Sequence, residues 1–148
     1  MSVNHAYIHW RLQGSAADAA AFLGGQYSRR HVWEFDGGAR VDASASPHVV
    51  PTPLSDAAAV DPEEAFVASI ASCHMLWFLS LAAKQGFTVE SYDDWAEGTL
   101  ALDDEGQLAM TAVVLRPRIV FASGSVPSRL EQRTLHERAH QACFIAKS

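Results

Sequence analysis

Residues Asp61 to Gly86 read DPEEAFVASIASCHMLWFLSLAAKQG, and the fold turns on how that stretch is read. Asp61 suits an N-cap, Pro62 suits the first helical turn, and Glu64 stands three residues after Asp61 as in a capping box. Gly86 supplies a stop. The residues between predict one helix of about 24 residues, roughly 36 Å long at 1.5 Å per residue. No residue from Ala65 to Ala83 carries a permanent charge. At that length a membrane span is conceivable. Against it stand Ser69, Ser72, Cys73, His74 and Ser80, flanks without basic anchors, and a remainder that reads as soluble sheet. A helix apolar on every side is a buried helix. One small domain can hardly enclose 36 Å of it, so the stretch predicts a homodimer in which a second copy completes the covering.

Outward from this helix the pattern changes from helical to alternating. Upstream, Val3–Leu12 and Tyr27–Phe35 read as strands, with a small-residue stretch from Gly14 to Gly25 between them that is a loop or a turn or two of helix. Asp36–Gly38 is a turn signal, and Ala39–Pro47 alternates after it, which predicts a hairpin. Pro47, Pro51 and Pro53 mark a linker into the long helix. Downstream, Phe87–Leu102 and Gln107–Ala122 read as two strands turning at Asp103–Gly106. Ser125–Phe144 then reads as an amphipathic helix. Hairpins and two main helices in this order predict an α+β fold, with residues 1–148 as one domain.

Composition narrows the function. The 148 residues are 49% hydrophobic and 19% charged, which argues for a packed globular chain and against disorder. A net charge of −6 with dispersed basic residues argues against nucleic-acid binding, which needs clustered Lys and Arg. The N-terminal residues show no charged start followed by an apolar run, so a cytoplasmic location is expected.

Two cysteines, Cys73 and Cys143, stand far apart. A structural disulfide is a poor default in a cytoplasmic chain, and the spacing fits no zinc pattern. Two unrelated buried thiols would account for them. His136, His140 and Cys143 fall at i, i+4 and i+7 on one helix face, which with Cys73 nearby would give a soft-metal site as an alternative. His74 reads as a satisfied core histidine, and the tryptophans as packing.

Val60–Leu79, VDPEEAFVASIASCHMLWFL, resembles the central-helix motif of the OsmC/Ohr family, the osmotically inducible protein C and organic hydroperoxide resistance proteins. There a Pro-Glu-Glu start leads, ten residues after the first Glu, to a cysteine. Glu63 and Cys73 have that spacing. AHQACF around Cys143 resembles the second-cysteine motif, although many relatives have Cys-Pro where this chain has Cys143-Phe144. Tyr27–Gly38 followed by ASASP resembles the upstream hairpin.

The resemblance implies antiparallel sheets wrapped around long central helices in an intertwined homodimer, and thiol-dependent reduction of organic hydroperoxides. Carried over residue by residue, it implies Cys73 as peroxidatic cysteine, Cys143 as resolving cysteine, Glu63 as the assisting glutamate, and Arg29 (Arg30 as the alternative) as the assisting arginine. It implies no cofactor and no metal, and a dithiol reductant of lipoyl or thioredoxin type. The chemistry is coherent. A guanidinium stabilises a thiolate, and a carboxylate holds a guanidinium by two parallel bonds. Apolar walls from Phe66, Ile70, Trp77 and Phe78 would favour a greasy peroxide. A dimer binding a small apolar ligand without turnover is the other alternative.

Overall fold

The computed structural model describes residues 1–12 and 16–148, and forms two compact units, Met1–Ala65 and Phe66–Ser148. The opening part of the expected Gly14–Gly25 stretch, residues 14 and 15, lies outside the described residues.

In the first unit β1 (Ala6–His9), β2 (His31–Phe35) and β3 (Arg40–Ala43) form an antiparallel sheet in that order. His9 pairs with Val32 and His31 with Ala43. The hairpin between β2 and β3 closes at Asp36–Gly38 as the turn residues predict, with the Phe35 amide bonded to the Ala39 carbonyl. The small-residue stretch holds a short helix, α1 (Ala16–Leu23). The proline-rich linker runs back beside β3: Ala43 and Val60 form a parallel bridge, and buried Ser44 accepts the Asp56 amide at 2.9 Å.

The long helix α2 (Pro62–Lys84) begins in this unit and runs on through the second. Its start is the capping box read from the sequence. Asp61 Oδ1 accepts the Glu64 amide at 2.8 Å, and Glu64 Oε2 accepts the Asp61 amide at 3.2 Å. Its end is set at Gly86, whose φ of 82° is a left-handed value that side-chain-bearing residues avoid. There the Phe87 amide reaches the Ala82 carbonyl and the Gly86 amide the Ala83 carbonyl, the paired bonds of a Schellman stop. By length and composition α2 is long and apolar enough to cross a membrane. Its buried residues, however, form one stripe, Cys73, His74, Phe78, Leu81 and Ala82.

The second unit corrects the strand expectation. Phe87–Leu102 and Gln107–Ala122 are not two strands but four: β4 (Val89–Asp94), β5 (Glu97–Leu102), β6 (Leu108–Val114) and β7 (Pro117–Phe121). β4 pairs with β7 and β5 with β6, in separate two-stranded sheets. The break falls at the same level on both sides, between Asp94↔Pro117 and Glu97↔Val114. Pro117 has no amide hydrogen to give a ladder. The preceding amide, of Arg116, leaves the ladder and donates to Asp94 Oδ1 at 2.7 Å. Gly98 on β5 is required by close approach, because a Cβ there would run into Val67 Cγ2 and the Met110 methyl. The turn at Asp103–Gly106 is held by Asp103 Oδ1, which accepts the Glu105 and Gln107 amides.

The last helix, α3 (Arg129–Ala142), opens with a second capping box, Ser128 with Glu131. It lays Leu135 and Ala139 against Phe78, Leu81 and Ala82 of α2 to form the buried apolar cluster, flanked by Trp77, Phe87, Val89, Tyr92, Ile119 and Phe121.

Candidate active site

The stripe of α2 that faces inward in the second unit carries Cys73 and His74 one turn before Phe78. Cys143 is the C-cap of α3, its amide bonded to the Ala139 and His140 carbonyls at 2.9 and 3.3 Å. The packing of α3 on α2 therefore decides whether the two sulfurs meet. They do: both are free, buried thiols, 7% and 1% exposed, and Cys73 lies close enough to Cys143 to influence its titration. Burial pushes the Cys143 thiol up, and its contact with Cys73 adds to the rise. Pulling the other way, the Ala146 amide donates to Cys143 Sγ at 3.4 Å. Beside the pair, Trp77 of α2 and Phe144 stand edge to face at 6.4 Å.

Next along the same faces, His74 Nε2 and His136 Nδ1 lie 3.0 Å apart, with ring centroids 5.3 Å apart and ring planes 4° from parallel. Phe78 seats His136 from below at 4.5 Å. Burial is the first cause that holds both imidazoles below their ordinary range. His136 and His140 push His74 further down, and Asp94 opposes the shift in both rings. His74 is thus the satisfied core histidine the sequence reading expects. On β4, burial and then Asp94 raise the Tyr92 phenol. The Tyr92 hydroxyl and Asp94 Oδ2 are shielded from solvent without a hydrogen-bond partner among the described residues. Neither residue stands out in the sequence reading. The available signal is the strand period of two, which puts Tyr92 and Asp94 on one face of β4.

Because His74 and His136 are held neutral, the folded chain binds fewer protons than the unfolded chain where imidazoles titrate. The stability this pair contributes is complete above about pH 6.5 and is lost as pH falls through the depressed folded-state values. Denaturant melts should therefore show the wild type losing stability between pH 7 and pH 5 more steeply than a His74→Gln/His136→Asn double variant. Parallel pH profiles would contradict a neutral pair.

The other two predicted residues belong to the first unit. Arg29 precedes β2 rather than lying in it. It is half-buried, its NH1 donates to the Gly25 and Tyr27 carbonyls, and its guanidinium lies 3.6 Å over the Tyr27 ring. Arg30 is exposed and pairs with Asp56 at 3.3 Å. Glu63 Oε2 is shielded from solvent and has no hydrogen-bond partner among the described residues. So no bond between Arg29 and Glu63 is seen among the described residues, whereas Cys73 and Cys143 are neighbours. Phe78 is wholly buried in the apolar cluster and cannot be a substrate-lining wall. Among the described residues no three of His, Cys, Asp and Glu converge to hold a metal ion. A cavity of about 360 Å³ in the first unit, lined by Trp10, Arg11, Tyr27 and Arg30 among others, contains none of the four candidate residues.

An α+β chain whose long capped helix carries a buried cysteine, with a second buried cysteine beside it at the end of the last helix, matches one class of known proteins. Residues 55–148 match the family model for OsmC-like protein. The chain belongs to the OsmC-like family. An OsmC-like protein of unknown function from Vibrio cholerae is 53% identical over 99% of this chain and 93% of its own, with a TM-score of 0.94. Two more distant structures share the fold. One is an organic hydroperoxide resistance protein from Elizabethkingia anophelis with thiocyanate bound (15% identity, 99% and 87% coverage, TM-score 0.69). The other is an organic hydroperoxide resistance protein OsmC from Legionella pneumophila, also described as a predicted redox protein (18% identity, 99% and 88% coverage, TM-score 0.64). No curated protein matches the chain.

Proposed function

We propose that this protein is a thiol-dependent peroxidase that reduces organic hydroperoxides, working as a homodimer. The observation that carries the reading is the pair of buried, free, neighbouring thiols on α2 and at the end of α3. Two unrelated core cysteines have no reason to meet, while a peroxidatic and a resolving cysteine must.

The chemistry balances in two steps and a reset. The Cys73 thiolate attacks the outer oxygen of ROOH. The O–O bond breaks, the terminal OH stays on sulfur as the Cys73 sulfenic acid, and RO⁻ leaves as ROH with the proton that the Cys73 thiol released on ionising. The Cys143 sulfur then attacks the Cys73 sulfur and water leaves with the Cys143 proton, giving the disulfide. An external dithiol, of lipoyl or thioredoxin type, returns both thiols and is itself oxidised. Arg29 would stabilise the thiolate and the departing oxygen, and Glu63 would hold a guanidinium. The orphaned Glu63 Oε2 and the half-buried setting of Arg29, against the surface ion pair of Arg30, favour this choice. Trp77 and Phe144 beside the thiols favour an apolar R group.

The homodimer rests on uncovered apolar surface. Phe66 and Leu76 of α2 are 39% and 60% exposed, and Leu102, Leu108 and Phe144 are also exposed. A second copy would cover this α2 face, and with it membrane-like hydropathy becomes a core property. The location is proposed to be cytoplasmic.

The deciding experiment is dithiol-dependent consumption of an alkyl hydroperoxide, a fatty-acid hydroperoxide and hydrogen peroxide. The organic peroxides are expected to react at least tenfold faster than hydrogen peroxide, the scale that roughly 1.4 kcal/mol of apolar binding gives. Turnover of none of the three would refute the reading.

A further inference from the structure

We propose that His74 and His136 are positioning residues that set how readily Cys73 and Cys143 close to a disulfide, by locking the two cysteine-bearing helices together through one imidazole–imidazole hydrogen bond. This rests on the reading of the two cysteines as a redox pair. The peroxidase reading does not use these histidines.

Each histidine is tied to one sulfur by chain geometry. His74 follows Cys73 directly on α2, and His136 lies two turns before Cys143 on α3. The 3.0 Å Nε2–Nδ1 contact, with the two ring planes within 4° of each other, fixes the rings in distance and in tilt. Phe78 holds His136 from the opposite side. The rest of the packing of α3 on this stripe is apolar, Leu135 and Ala139 against Phe78, Leu81 and Ala82. Apolar packing tolerates sliding, because it has no direction. A hydrogen bond between two nitrogens does not, since it weakens steeply with distance and angle. The bond therefore selects one register of α3 on α2, the one in which Cys143 meets Cys73. One ring must donate and the other accept, so the bond needs a pair that is not doubly protonated. The charged and titratable groups that face it are His140 on α3 and Asp94 on β4, with the Tyr92 hydroxyl near Asp94.

Closure is measured without peroxide, in glutathione redox buffers at pH 7.5. Two protein thiols and one oxidised glutathione give the Cys73–Cys143 disulfide and two reduced glutathiones, and trapped thiols are counted by mass spectrometry. His136→Ala is expected to lower the closure equilibrium constant about tenfold, the scale of one lost buried hydrogen bond, or ~30 mV for this two-electron couple. His136→Asn, whose amide occupies the place of Nδ1, is expected to recover to within about threefold of wild type. His136→Phe keeps an aromatic ring against Phe78 without the bond and is expected to behave like the alanine variant.

An unchanged constant in His136→Ala overturns the proposal. So does recovery by phenylalanine rather than asparagine, which would assign the effect to packing. If the wild type itself forms no Cys73–Cys143 disulfide, the redox-pair reading falls and the proposal with it. If the wild type closes and only the histidine variants fail to differ, the proposal alone falls.

Discussion

Cys73→Ser is expected to lose dithiol-dependent hydroperoxide reduction by a factor on the order of 10³ or more, the scale on which removing a covalent nucleophile acts. A thiolate is the attacking species in such chemistry, and a hydroxyl in the same place stays protonated and is a poor nucleophile at neutral pH. Cys143→Ser is expected to behave differently. Its first encounter with peroxide still oxidises Cys73, so one equivalent of ROOH is consumed per chain. With no resolving sulfur the sulfenic acid persists, open to trapping or further oxidation. Steady-state turnover then falls sharply while the first turnover survives. Rapid-mixing peroxide assays read the first phase, and mass spectrometry reads the Cys73 adduct. A Cys73→Ser protein that turns over at wild-type rate would remove Cys73 from the chemistry. The buried proximity of the two thiols is the reason the variants should separate in this way, since Cys143 stands beside Cys73 and a serine hydroxyl in its place cannot resolve the sulfenic acid.

The helix that carries this chemistry was the most legible part of the chain. Asp61, Glu64 and Gly86 act on backbone groups a few residues away, so their signals are local and the sequence shows them directly. The second capping box at Ser128 and Glu131 is local in the same way. The broken strands were not read, because alternation continues through Trp95–Ala96 and Leu115–Arg116 even though hydrogen bonding stops. Pro117 was the available sign, and it becomes decisive only when its cross-strand partner Asp94 is known. The site divides along the same line. That Cys73 and Cys143 meet depends on how α3 lies on α2, and nothing in either helix's own pattern states it. The family resemblance supplied that pairing. His74 was expected to be satisfied, but its partner at position 136 is a long-range fact of the same kind. Arg29 and Glu63 remain proposals. The orphaned Glu63 Oε2 is the structural feature that keeps a guanidinium partner in view.

Phe78→Ala is expected to cost about 3–5 kcal/mol of stability, the range for deleting a fully buried phenylalanine. Phe78 has no exposed surface and stands where every element of the second unit's core converges. Its ring meets Tyr92 of β4 at 5.7 Å, Phe121 of β7 at 6.4 Å and His136 of α3 at 4.5 Å. Removing it leaves a cavity whose lining comes from two helices and two strands, and a site bounded by several elements collapses poorly. The loss also takes away the surface that seats His136, so disulfide closure should weaken along with stability. Leu130→Ala, on the exposed side of α3, is the comparison and is expected to change stability by no more than about 0.5 kcal/mol. Denaturant melts of both variants belong at one fixed protein concentration, because the stability of the proposed dimer would depend on protomer concentration. A Phe78→Ala cost below about 1 kcal/mol would mean that the residue is not the keystone of this core, and that α3 is held on α2 by something other than the apolar cluster.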